Sequence, residues 1–178
     1  MFTPFTRLQR FRKDTDGYIT LEILIVLPVL LWIFAAAWIY FDVFQQYSAH
    51  QKANYAIGDM LSRETQPITD DYLDNSHSLL ELLNNADETA LRVTVVSYDS
   101  DAGWELEWSE ARGAASQMAQ GDMSDYRTRL PAGLPGDQLI LVETWDSYAP
   151  IFEVGLSEFD IHTYSFTRPR FAPQLVLG

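Results

Sequence analysis

The chain has 178 residues, with 12 Lys and Arg against 25 Asp and Glu, a net charge of −13, and no cysteine. That length suits one modest globular domain beside a long helix, and the missing cysteines exclude disulfides, thiolate metal sites and thiol nucleophiles. Residues 1–41 hold four basic and three acidic side chains, leaving eight basic and 22 acidic beyond them, a net charge near −14, which argues against nucleic acid as a partner and against an anionic lipid surface.

Residues 1–16 (MFTPFTRLQRFRKDTD) are polar and basic and read as a short leader. Gly17 follows, a flexible and accessible backbone position where the apolar run begins. From Ile23 to Phe41 the sequence carries no charge. As a helix those residues extend about 28 Å, close to the hydrocarbon thickness of a bilayer. The expected span is about residues 20–41, with the basic leader favouring a cytoplasmic amino terminus. Ala35-Ala36-Ala37 offers small residues to signal peptidase, but Trp38-Ile39-Tyr40-Phe41 carries the apolar run too far for a removed h-region. Glu22 stands at the edge of the block, and an acid in or near hydrocarbon is a functional hypothesis that requires a partner. Pro28 lies inside the span, where its missing N–H loosens or bends a helix.

Beyond Phe41 the helix is expected to continue to about residue 63, with Pro67 as a stop. Ala49, Ala53, Ala56, Ile57, Met60 and Leu61 form one apolar stripe, with Lys52, Asp59 and Arg63 off it. Trp38, Tyr40 and Tyr47 cluster where a membrane interface would fall. A second helix is expected over 69–85, with Thr69, Asp70 and Asp71 as caps, an apolar face of Tyr72, Ser76, Leu79, Leu80 and Leu83, and Asn84-Asn85 as its end.

Strands are expected over Leu91–Tyr98 and Trp104–Trp108, the latter by period-two alternation that puts Glu105 and Glu107 on its polar face. Asp99–Gly103 between them reads as a hairpin turn. A calcium loop through Asp99, Asp101 and Glu105 is the sharper reading, and it lacks the remaining oxygen ligands of an EF-hand. Residues 110–136 read as loop with one short helix near 114–120. Gln138–Trp145 and Ile161–Thr167 complete three or four strands, an antiparallel meander packed on the outer half of the long helix.

The histidines, His50, His77 and His162, show no zinc spacing, and there is no phosphate loop or nucleophile elbow. The expectation is therefore a protein that is not an enzyme, with no cofactor and no metal.

Gly17-Tyr18-Ile19-Thr20-Leu21-Glu22, after a basic leader and before an apolar helix, resembles the class III signal peptide of type IV pilins and pseudopilins. Leu27-Pro28-Val29-Leu30-Leu31 is similar to a run in the TadE/TadG-like minor pilins of the tight adherence (Tad, or Flp, type IVc) pilus, and the length fits the TadE-like members. Ile23 stands where a major Flp pilin carries Tyr. Tyr148 with Pro150 after a strand, and Arg168-Pro169-Arg170 near the end, also resemble that group.

The resemblance implies an α+β, pilin-like fold, with a leader over 1–17, a long helix over 18–63 and an acidic periplasmic domain with a short antiparallel sheet over 64–178. It implies cleavage by a prepilin peptidase between Gly17 and Tyr18, and a role for Glu22 and Pro28 in subunit assembly. Arg168 and Arg170 become candidates for subunit docking, beside the plainer reading that they pair with the acidic domain. The partners implied are other pilins through their N-terminal helices, the peptidase, an inner-membrane assembly platform and the lipid bilayer. The alternative class is an uncleaved, single-pass anchored periplasmic sensor or scaffold, in which Glu22 is incidental.

Overall fold

The computed structural model describes residues 18–86, 88–152 and 154–178. A run with no Gly between Tyr18 and Gly58 and with Pro28 as its one helix-breaking residue produces α1, a 45-residue helix over Tyr18–Ser62 that passes through Pro28 without a break. At about 1.5 Å per residue α1 is roughly 68 Å long. Its surface divides in two. From Ile19 to Trp38 the side chains are exposed, with only Ala35 and Ala36 half-buried. From Ile39, which is 1 % exposed, one face turns inward and buries His50, Ala53, Asn54, Ile57, Gly58, Leu61 and Ser62. That spacing of three and four is the packed stripe of an amphipathic helix. Ala56, expected on the stripe, is exposed, and the polar His50 and Asn54 lie on it instead.

The chain reverses through Pro67 into α2, Asp70–Asn84. Thr69 is its N-cap, accepting from the Tyr72 amide at 3.3 Å, and Asn85 closes it in the left-handed conformation at φ 52°. The buried face is Leu73, Ser76, Leu80 and Asn84. Ser76 and Leu80 are buried as expected, while at the two ends of the face Leu73 and Asn84 point inward in place of Tyr72 and Leu83, and Leu83 is exposed.

Four antiparallel strands follow: β1 Ala90–Asp99, β2 Gly103–Arg112, β3 Gln138–Tyr148 and β4 Phe159–Thr167. Their order is β2-β1-β3-β4, so the sheet is not a simple meander. The β2–β3 connection crosses back to pair β3 with the free edge of β1, Val93 opposite Val142. It can do so because it is long and carries its own apolar anchors, Met118 and Met123, both buried against the sheet. Its helical part is a 3-10 turn, Gln120–Asp122, running into α3, Met123–Tyr126, and not the 114–120 expected. The earlier residues are held extended by the Met118 amide donating to Ser109 Oγ at 3.0 Å.

A bulge corrects the reading of β2. Val95 pairs with Trp108 and Val96 with Leu106, so Glu107 is an extra residue. Glu105 and Glu107 are both exposed as expected. The two tryptophans, however, end on opposite faces. Trp104 packs with Val96, Leu139 and Leu141 on the outer face, and Trp108 packs on the helix side, donating from Nε1 to the Leu175 carbonyl at 3.1 Å.

The main core lies between helices and sheet and includes Ala53, Ile57, Leu61, Leu73, Leu80, Leu91, Val93, Val95, Ile140 and Val142. The C-terminal segment closes its far end. Leu175 is buried in it, Leu177 bridges to Ile68, and the Arg170 amide donates to the last-turn carbonyl of Ser62 at 2.8 Å. Ile57 is fully buried at the centre of this core. Ile57→Ala should cost about 2–5 kcal/mol in a denaturant titration of the protein in detergent.

Candidate functional site

The N-terminal part of α1 is the first candidate. Ile19–Trp38 is twenty residues, all exposed except the half-buried Ala35 and Ala36, about 30 Å of helix, and α1 is long and apolar enough to cross a membrane. Glu22 is exposed on this surface, and no basic residue occurs on α1 before His50. The helix itself therefore offers Glu22 no cation. Tyr18 is the first described residue of α1, and Gly17 and the leader lie outside the described residues. Pro28 sits six residues beyond Glu22, and the Leu24 carbonyl lacks the donor that residue 28 would otherwise supply.

A polar ladder fixes α1 against the sheet. Tyr148 Oη donates to Asp42 Oδ2 at 2.7 Å, and His50 Nε2 lies 3.0 Å from Asp146 Oδ2. Asn54 Nδ2 donates to the Val142 carbonyl at 3.0 Å, while its Oδ1 accepts from Ser165 Oγ. As the α1 number rises from 42 to 54, the β3 number falls from 148 to 142, so helix and strand run antiparallel. Apolar side chains slide; these bonds set the register. Burial lowers the His50 pKa below its ordinary 6.5, against the opposing pull of Asp146. Burial and then the Asp42 carboxylate push the Tyr148 hydroxyl up to about 12.

A second polar cluster lies on the outer face of the sheet. The Glu143 side chain is fully buried, and Arg92 stands directly opposite it in the register. Arg92 donates to Oε2 from Nε at 2.8 Å and from Nη2 at 2.5 Å. Tyr126 Oη donates to Oε1 at 2.8 Å, and His162 Nε2 lies 3.3 Å from the same oxygen. The guanidinium sits 5.0 Å over the Trp145 ring, which stacks on His162 at 4.8 Å. Burial works to raise the Glu143 pKa, and the hydrogen bonds from His162, Tyr126 and Arg92 outweigh it, leaving the carboxyl below its ordinary value. With both oxygens occupied, this carboxylate is a clip. Through Tyr126 and the Arg92 bond to the Ser116 carbonyl, it pins the β2–β3 connection to the sheet.

The remaining candidates are more exposed. Arg168 reaches Asp137 at 3.0 Å and Arg170 reaches Asp59 at 3.3 Å, with side chains 54 % and 58 % exposed. Each thus has a partner within the domain and keeps about half its surface. Asp99 Oδ1 accepts from the amides of Asp101 and Ala102 at 2.7 and 3.0 Å, bonds that hold the hairpin turn and lower its pKa. Among the described residues no group of three or more acidic or histidine side chains converges to hold a metal ion. Sequence reasoning singled out neither the Arg92–Glu143 clip nor the His50–Asp146 rung. The only signal was the two acids of β3, Glu143 directly after the apolar run Leu139–Val142 and Asp146 three residues on.

No protein-family model matches the chain, and no curated protein or solved structure shows significant similarity to it.

Arg92→Met leaves Glu143 buried without its main partner and should cost about 3–5 kcal/mol in chemical denaturation. His50 makes a separate prediction for acid. Its folded-state pKa is lowered, so the unfolded chain takes up the proton first, and stability falls as pH drops below 6.5. Thermal melts from pH 7.5 to 5.5 should show a smaller loss for His50→Gln than for the native protein. The Glu143 contribution is lost only lower, as pH falls through a pKa below 4.5.

Proposed function

We propose that this protein is a membrane-anchored minor pilin or pseudopilin, resembling the TadE-like members of the tight adherence system, with a mechanical role in assembling an adhesive pilus. The observation that carries the reading is Glu22, an acid on an exposed apolar helix surface whose own helix supplies no cation before His50. Such an acid is costly in hydrocarbon, and a positive charge brought by another chain offsets the cost.

On this reading a prepilin peptidase cuts after Gly17 and leaves an α-amine on Tyr18. The amine at the start of one subunit's helix meets Glu22 of its neighbour, which sets the stagger between subunits. Before assembly the bilayer covers Ile19–Trp38, with the amino terminus cytoplasmic and the acidic domain periplasmic. An inner-membrane platform then draws the helix out, and the same apolar surface packs against neighbouring pilin helices. Pro28 supplies the weakened turn at which α1 adapts to either setting. Arg168 and Arg170 keep enough exposed surface to dock a neighbouring subunit.

Mass spectrometry of the protein purified from membranes should find a chain beginning at Tyr18. Glu22→Ala should abolish filaments while the protein still resists carbonate extraction. A functional species beginning at Met1, with Glu22→Ala filaments intact, would instead identify an uncleaved anchored scaffold.

A further inference from the structure

The β3–β4 connection carries two exposed apolar residues, Ile151 at 79 % and Phe152 at 58 %, on an otherwise strongly acidic domain. Their place in the fold says what covers them. β3 ends at Tyr148, whose hydroxyl is bonded to Asp42. Asp42 lies four residues beyond Trp38, the last residue of the exposed apolar stretch, which is about 6 Å along the helix axis.

Because β3 runs antiparallel to α1, the chain leaving Tyr148 heads toward the apolar end of the helix. Ala149 to Phe152 spans at most about 13 Å, enough to cover that 6 Å. Ile151 lines a cavity of about 320 Å³ together with Asp42, Gln46, His50 and Tyr148, which places it beside the first turns of α1 beyond the apolar stretch. Ile39 is only 1 % exposed between Trp38 at 62 % and Tyr40 at 48 %, so the domain overlaps α1 right to the end of the apolar stretch.

We infer that Ile151 and Phe152 insert into the interfacial layer of the same bilayer that α1 crosses, giving the domain a second, shallow membrane contact. Trp38 and Tyr40 present aromatic rings at the same level, where amphipathic rings settle. The contact is apolar and not electrostatic, since an acidic domain gains nothing from anionic headgroups. It fixes the tilt and rotation of the domain over the membrane, where α1 alone leaves the domain free to turn about the helix axis. The inference rests on α1 spanning the bilayer, and it is independent of cleavage or filament assembly.

The chain has no cysteine, so single replacements give clean labelling sites. Full-length Phe34→Cys, Phe152→Cys and Leu134→Cys proteins would each carry an environment-sensitive fluorophore in phosphatidylcholine vesicles. Phe34 lies in the apolar stretch, and Leu134, 70 % exposed, lies by the opposite end of β3. Quenching would be read from nitroxides at shallow and deep positions on the lipid chains and from aqueous iodide.

The label at 34 should be quenched by lipid nitroxides and shielded from iodide, and the label at 134 should respond to iodide alone. The label at 152 should be quenched several-fold more by shallow nitroxide than the label at 134. If 152 behaves like 134 while 34 reports lipid, the interfacial contact is refuted and the span stands. If 152 is shielded from iodide without nitroxide quenching, a protein surface covers it and the lipid assignment is refuted. If 34 itself reports water, the span and the contact fall together.

Discussion

Everything in this molecule follows from one helix meeting two surroundings. The backbone of α1 satisfies itself along its whole length, apart from the carbonyl opposite Pro28 and the helix ends, so its side chains alone decide where each part belongs. Over twenty residues, Thr20 and Glu22 apart, the helix presents apolar groups on every side, and a stable soluble domain does not leave a surface of that extent to water. From Ile39 the same helix narrows to a single buried stripe and becomes the backing of an α+β domain. No linker separates the two regimes, so the domain is placed by the helix and not tethered to it.

That placement requires a fixed register, which apolar packing alone does not supply. Ala53, Ile57 and Leu61 would contact Val93, Ile140 and Val142 almost as well after a shift of one turn. The bonds of Asp42, His50 and Asn54 to β3 and β4 would not survive such a shift. Each takes polar atoms out of water, and a buried polar pair adds little net stability compared with an apolar pair of the same volume. Their contribution is uniqueness: a slipped helix leaves a histidine, a carboxylate and an amide buried without partners. The Arg92–Glu143 clip does the same on the other face for a connection with little regular structure of its own.

What was legible in the sequence was what neighbours along the chain decide. The end of α1, the Thr69 cap and Asn85 closure of α2, and the cores of all four strands depend on local periodicity and capping chemistry, and the structure places them within a few residues of expectation. What was not legible depends on partners far away in the chain. The Glu107 bulge breaks an apparently regular Trp-Glu-Leu-Glu-Trp alternation only because β1 sits beside it. His50 and Asn54 look like solvent-facing residues until Asp146, Val142 and Ser165 arrive opposite them, about 90 residues or more later in the chain. The sheet order is hidden for the same reason: the anchors Met118 and Met123 lie in a segment whose composition says only loop.

The ladder and the apolar stretch together set where α1 is held and where it can bend. Tyr148 bonds α1 at Asp42, the rung of the ladder nearest the apolar stretch and four residues beyond it. Between Asp42 and Glu22 lies about 30 Å of helix whose rungs are intact except at Pro28. Pro28 removes one rung six residues from Glu22, and that is where bending this stretch of helix costs least. In the assembly proposed above, the acid can then pass from the hydrocarbon of the bilayer to an amine on a neighbour, while the register between helix and sheet is preserved. In that assembly a hinge beyond Asp42 would act on the ladder instead and strain the bonds that hold the domain to its helix.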